Sequence, residues 1–265
     1  MKIDLSGLSV NYELEVRKPG APWITLAHAL STNLTVWDDT VAALANDYSI
    51  LRYDLRGHGG SAATEPPYDF PTLIDDVMRL WDALEIKRSH WAGLSIGGMM
   101  GYGIATSSPE RLLSLVACDS RPDAPPDYAA YFQSRIDKTR GKGMAGVVDS
   151  TIERWFTPSS VAQNIPAIGK VRQMILSTDP VGHEGCCKAL QTLAYGSKLP
   201  EIRVPTLVIG GAEDKGAPPD ILAAAAKLIP GAKHVVVPEA GHIVAIENPA
   251  VFNTELLKFL RSVPA

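Results

Sequence analysis

Gly93-Leu94-Ser95-Ile96-Gly97-Gly98 constrains this chain more than any other segment, because it stands between a strand-like run, Ser89 to Ala92, and a helix-like one, Gly98 to Thr106. A chain that passes from strand to helix within so few residues turns sharply enough to strain the residue at the apex. The flanking glycines remove side chains that would clash there. The apex residue is a serine. G-x-S-x-G in a strand–turn–helix setting reads as a nucleophile elbow, with the Ser95 hydroxyl presented at the end of a sheet.

The rest of the chain supplies that sheet. Ile24 to Leu26, Ser49 to Tyr53, Leu112 to Ala117, Thr206 to Ile209 and His234 to Val237 are nearly continuous in Val, Ile and Leu, as strands buried on both faces require. Helical patterns lie between them: Leu73, Ile74, Val77, Leu80, Trp81 and Leu84, and later Phe252, Leu256, Phe259 and Leu260, recur at three- and four-residue spacing. Alternation of this kind predicts an α/β fold with a mostly parallel, doubly wound sheet of about eight strands, whose sites lie at the strands' carboxyl ends. Lys2 to Leu5 and Leu8 to Glu15 instead predict an antiparallel hairpin turning at Ser6-Gly7. From about Pro125 to Ser197 only helical patterns occur, such as Val147 to Phe156 and Ile168 to Leu176. The 265 residues suit one large domain, divided into a core of residues 1–122 and 198–265 and a helical cap, 123–197, inserted after the sixth strand and lying over the site.

A serine hydroxyl needs a histidine to take its proton and a carboxylate to orient that histidine. His242 alone among the six histidines falls in a loop directly after the last predicted strand, in Pro238-Glu239-Ala240-Gly241-His242, which is the general-base position. Asp214, closing Val208-Ile209-Gly210-Gly211-Ala212-Glu213-Asp214, is the expected acid, with Asp119 at the end of the sixth strand as its rival and Glu213 behind both. Acyl transfer also needs two N–H donors for the developing oxyanion. The backbone N–H groups of Ile96, after the nucleophile, and Leu30, in His28-Ala29-Leu30-Ser31-Thr32-Asn33, are the candidates. Arg52-Tyr53-Asp54-Leu55-Arg56-Gly57-His58-Gly59-Gly60-Ser61 is read as architecture, its charges paired locally.

Other chemistries find no signature. The net charge of −4 comes without a block of Lys or Arg, so neither nucleic acid nor an anionic membrane surface is an expected partner. No stretch approaches the ~20 apolar residues of a membrane span. The three cysteines include the adjacent pair Cys186 and Cys187, which is neither a disulfide framework nor a metal-binding or redox spacing. G-x-G-x-x-G after a strand, a Walker loop and H-E-x-x-H are all missing, so no cofactor and no metal are expected. The start, Met1-Lys2-Ile3-Asp4-Leu5, lacks the pattern of a secretory signal. The expectation is a cytoplasmic monomer or homodimer acting on a small molecule.

Taken together, Thr35-Val36-Trp37-Asp38, Arg56-Gly57-His58-Gly59, Gly93-Leu94-Ser95-Ile96-Gly97-Gly98 and Glu153-Arg154-Trp155-Phe156-Thr157-Pro158 resemble the α/β-hydrolase superfamily. The last segment resembles the 3-oxoadipate enol-lactonase group within it. The resemblance implies a carboxylic ester hydrolase, an esterase or lactonase, with Trp155 lining the pocket. It also implies a carboxylate-bearing lactone, for which Arg121, Arg135 and Arg154 are the candidate cations. The chain departs from the group in the loop after the third strand, where enol-lactonases usually show Asn-Ser-Leu-Gly and this sequence has His28-Ala29-Leu30-Ser31. A carbon–carbon bond hydrolase, a perhydrolase or a non-catalytic receptor on the same fold are the alternatives. Haloalkane dehalogenases and epoxide hydrolases carry aspartate where this chain has Ser95.

Overall fold

A computed structural model describes residues 1–263. The hairpin forms as its turn residues predict: β1 (Lys2–Asp4) and β2 (Ser9–Glu15) pair antiparallel, with Lys2 opposite Asn11. The chain then alternates through β3 (Trp23–Ala27), α1 (Asp38–Leu44), β4 (Ser49–Tyr53), α2 (Phe70–Ala83), β5 (Ser89–Leu94), α3 (Ile96–Ser107) and β6 (Leu112–Cys118). Five helices follow without a strand: α4 (Tyr128–Lys142), α5 (Ala145–Trp155), α6 (Pro158–Gln163), α7 (Pro166–Ser177) and α8 (Pro180–Gln191). The alternation resumes with β7 (Thr206–Gly211), α9 (Pro219–Leu228), β8 (Lys233–Val237), α10 (Val244–Glu247) and α11 (Pro249–Leu260).

The eight strands make one sheet in the order β1-β2-β4-β3-β5-β6-β7-β8. β2 runs antiparallel to β4, and every pairing from β4 to β8 is parallel. The apolar strands are covered on both faces, α2, α3 and α9 packing into one cluster and α1, α10 and α11 into the other. On α2, Leu73, Val77, Leu80 and Trp81 are each at most 1% exposed; each such side chain stabilises the fold by roughly 1.5–3 kcal/mol. Asp69 caps that helix by accepting the Thr72 N–H at 2.8 Å. Among the described residues no helix is long and apolar enough to cross a membrane.

The loop after β4 is architecture, as its sequence predicts. Arg56 forms a two-pronged pair with Asp76 of α2, at 2.6 and 2.5 Å. Asp54 accepts from Leu34 N, Gly60 N and Asn11 Nδ2 at 2.7 to 2.8 Å. Gly57 (φ +70°) meets Gly182, in the first turn of α8, backbone to backbone; a Cβ on either would collide with the other.

Candidate active site

The strand order β3-β5-β6-β7-β8 gathers onto one edge of the sheet the loops that carry Leu30, Ser95, Asp119, Asp214 and His242. Ser95 stands at φ +54° and ψ −115° between β5 and α3, the strained apex that the G-x-S-x-G pattern predicts. The strain is supported from several sides. Ser95 N donates to Cys118 O at 2.8 Å, extending the β5–β6 ladder, and Ser120 Oγ donates to Ser95 O at 2.9 Å. Side chains at Gly93 or Gly97 would strike backbone.

His242 Nε2 lies 3.0 Å from Ser95 Oγ, and His242 Nδ1 lies 2.9 Å from both carboxylate oxygens of Asp214. A carboxylate can only accept, so Nδ1 carries the proton and Nε2 is left to accept from the serine hydroxyl. Burial pushes the Asp214 carboxyl up, but His242 together with the N–H groups of Ala217 and Gly216 outweighs it and holds the group below the ordinary carboxylate range. Those amides donate to Asp214 Oδ1 at 3.0 and 2.6 Å.

Asp119, the rival acid, is engaged elsewhere. Its Oδ1 accepts from Gly211 N at 2.9 Å and its Oδ2 from Val244 N at 3.0 Å. It thus ties β6 to β7 and to α10, the helix just past His242. Complete burial, followed by the charge of Asp214, drives its carboxyl well above the usual range.

Ser95 and His242 open onto a narrow pocket lined also by Leu30, Tyr128, Tyr131, Phe132, Arg135, Arg154, Trp155, Leu190 and Gly216. Trp155 meets His242 with ring centres 5.9 Å apart. Arg154 lies over the Tyr131 ring at the rim. Arg121 is not among the lining residues: it packs behind them, its guanidinium over Tyr128 and its Nη1 on Gly216 O at 3.3 Å. Arg135 is the most deeply buried of the three. It is 6% exposed, its guanidinium lies 5.9 Å from the Tyr131 ring centre, its Nη1 donates to Thr151 Oγ1 at 3.0 Å, and its Nε and Nη2, like Arg121 Nε, have no hydrogen-bond partner. No carboxylate among the described residues pairs with it.

Leu30 N–H and Ile96 N–H have no acceptor among the described residues. Ile96 begins α3, where first-turn N–H groups lack intrahelical partners. Leu30 is second in a turn closed by Thr32 N donating to Ala29 O at 3.1 Å. Ala29 O also accepts from Thr32 Oγ1 and His28 Nδ1, each at 2.8 Å. A trans peptide points its N–H opposite its C=O, so three bonds on that carbonyl fix the direction of the Leu30 N–H. Sequence reasoning missed Ser120, whose hydroxyl bonds backbone carbonyls of the elbow and of β6.

Comparison with known proteins agrees with this architecture. A family model for the alpha/beta hydrolase fold matches residues 22–249. The chain is 30% identical over 237 residues to 3-oxoadipate enol-lactonase 2 of Acinetobacter baylyi, spanning 88% of this chain and 86% of that protein. It is 29% identical over 246 residues to a putative carbamate hydrolase RutD of Pseudomonas savastanoi, spanning 91% and 95%. The crystal structure of the enol-lactonase from Burkholderia xenovorans superposes with a TM-score of 0.95 at 32% identity, covering 99% of this chain and all of that one. With most of its length inside the family model and a solved enol-lactonase matching it from end to end, this chain belongs to the α/β-hydrolase family, with 3-oxoadipate enol-lactonases among its relatives.

Proposed function

We propose that this protein is a serine hydrolase of small carboxylic esters or lactones, and that its substrate carries a free carboxylate. The observation that carries the first part is the unbroken chain of hydrogen bonds from Asp214 through His242 to Ser95, opening on the pocket. His242 Nε2 takes the Ser95 proton as Oγ attacks the carbonyl, and Asp214 stabilises the imidazolium that forms. The oxyanion is met by the N–H groups of Leu30 and Ile96. The tetrahedral centre collapses to an acyl-enzyme, His242 returns its proton to the leaving oxygen, and water repeats the sequence to release the acid. Residues 123–197 act as a cap over the core, 1–122 and 198–265, and close the pocket above the serine. Three free thiols suit the reducing cytoplasm.

Arg135 supports the second part. A buried guanidinium costs several kcal/mol unless its charge is compensated; the Tyr131 ring and the Thr151 hydroxyl compensate this one in part, and two of its nitrogens lack a hydrogen-bond partner. A substrate carboxylate fits that gap. An enol-lactone bearing a carboxylate, the kind of substrate that the related enzymes' name describes, is the specific reading.

The test is a rate comparison across p-nitrophenyl esters, simple lactones, carboxylate-bearing lactones, carbamates and amides, with Ser95→Ala as control. Esters and lactones are expected to be cleaved, acidic ones fastest, and Ser95→Ala to lose the activity while staying folded. More than about a tenth of the rate remaining in Ser95→Ala would sink the nucleophile assignment. Turnover of carbon–carbon bonds alone would sink the substrate class.

A further inference from the structure

Ser31 occupies a conformation that its residue type disfavours. It is fully buried, at φ +59°, third in the turn that presents the Leu30 N–H, where the resembling group has glycine. Nothing in the turn relieves the strain: Ala29 O, Thr32 and His28 bond with one another and leave the Ser31 hydroxyl aside. The relief comes from across the fold. Ser31 Oγ lies 2.7 Å from Nδ1 of His183 on α8. That imidazole is itself fully buried, and its Nε2 is 3.4 Å from Cys187 Sγ, one turn along the same helix. The neighbouring residue Gly182 is seated on Gly57 without room for a Cβ, so the first turn of α8 cannot drift and His183 is delivered to Ser31 at a fixed height.

We infer that His183 is a positioning residue for the oxyanion, holding the Leu30 N–H in line through the Ser31 hydroxyl; this rests on the serine-hydrolase reading above. If Ser31 relaxes from its left-handed conformation, the Thr32–Ala29 closure opens and the peptide carrying the Leu30 N–H rotates. A glycine at position 31 holds the turn without help. Serine needs an anchor, and the hydrogen bond to His183 supplies it. Burial, with the charge of Arg135 and with His58 nearby, keeps this imidazole far below the usual histidine range, so it remains neutral while the enzyme works. A core histidine that merely finds a partner would stabilise the fold without touching the reaction; a positioning residue changes kcat.

A double-mutant cycle on the best ester separates the two, with kcat and KM measured for wild type, His183→Ala, Ser31→Gly and the double variant. Loss of a whole oxyanion donor costs about 10²–10³ in kcat. Misalignment should cost less, so His183→Ala is expected to lower kcat by about tenfold with KM within about threefold. In the Ser31→Gly background the same change should cost less than about twofold. His183→Asn, whose amide falls where Nδ1 stood, should recover most of kcat, whereas His183→Gln, whose amide reaches the Nε2 position, should not. This pair keeps the test open if the alanine variant fails to fold. An equal His183→Ala loss in both backgrounds, a rise in KM alone, or no difference between Asn and Gln overturns the inference. Ser95→Ala is measured beside them. If it stays active, the hydrolase reading fails; if it is dead while the cycle is additive, only the inference about His183 fails.

Discussion

The backbone carbonyl of Trp155, last residue of α5, accepts the backbone N–H of His242 at 2.7 Å. Glu247 reinforces the junction: Oε1 accepts from Thr157 N at 2.8 Å and Oε2 from Gly241 N at 2.7 Å. The helical layer is thereby fastened to the loop of the histidine that faces Ser95, and the Trp155 ring reaches the pocket from the same joint. The Glu-Arg-Trp-Phe-Thr-Pro segment contributes backbone geometry as well as an aromatic wall.

Glu247→Gln tests that joint. An amide accepts through one oxygen only, so its NH2 must face one of the two N–H donors, at a cost of about 1–3 kcal/mol. We expect a lower melting temperature and a fall in kcat of about tenfold, the equivalent of ~1.4 kcal/mol. Wild-type values for both, from thermal melts and steady-state kinetics, would show the carboxylate to be dispensable.

The two aspartates should separate by magnitude. Asp214→Asn removes the group that orients His242 and is expected to cost up to ~10⁴ in kcat. Asp119→Asn should stay within about tenfold of wild type. It should instead lose about 1–3 kcal/mol of stability, because its amide NH2 meets the N–H of Gly211 or Val244. The reverse ranking of kcat, in variants shown to be folded by circular dichroism, would move the acid to the end of β6.

Arg135→Met should act on substrate choice. For a carboxylate-bearing lactone KM is expected to rise by about tenfold or more, equivalent to losing one charge-assisted contact, whereas a neutral ester should suffer far less. Replacing a buried charge that no carboxylate pairs with by an apolar side chain of similar length should leave stability unchanged or raised. Equal effects on both substrates would remove Arg135 from carboxylate recognition.

The buried histidines predict acid lability. Burial, aided by His28, lowers His58 to about 3, and burial, aided by Arg88, lowers His90 to about 4. Between those values and the unfolded value near 6.5 the unfolded chain binds protons that the native one refuses. Stability must therefore fall as pH drops through that window, by about 1.4 kcal/mol per unit for each such histidine. Asp214, depressed, is lost in the same direction at lower pH; Asp119, raised, works the opposite way. The melting temperature should decline between pH about 6.5 and about 4, and His90→Asn, which can keep the Ser114 bond at 2.8 Å, should flatten the decline. A flat or rising profile would contradict it.

Most of the fold was legible because apolar runs mark the strands, and Ser95, His242 and Asp214, which the structure brings together, could be proposed from local pattern as well: flanking glycines for the first, a loop after a strand for the other two. Arg121, Arg135 and Arg154 could not be ranked by the same means. Which guanidinium turns inward depends on how α4, α5 and α8 pack, and all three look like ordinary cations in sequence. The Trp155–His242 bond left no trace, since a carbonyl and an N–H occur at nearly every position. Ser31 was visible as a departure from glycine, but its partner His183 lies 152 positions away.

The contact of Gly57 with Gly182 sets a rule for variation in this chain. Most tight contacts can drift by exchange, one side chain growing as its neighbour shrinks, but neither residue here has anything left to give up. A side chain at either position meets a partner that is already as small as a residue can be, and the pair pins one corner of the helical layer. Pocket residues away from that contact, such as Tyr131 and Phe132 on α4, are not held by it and can change with the substrate.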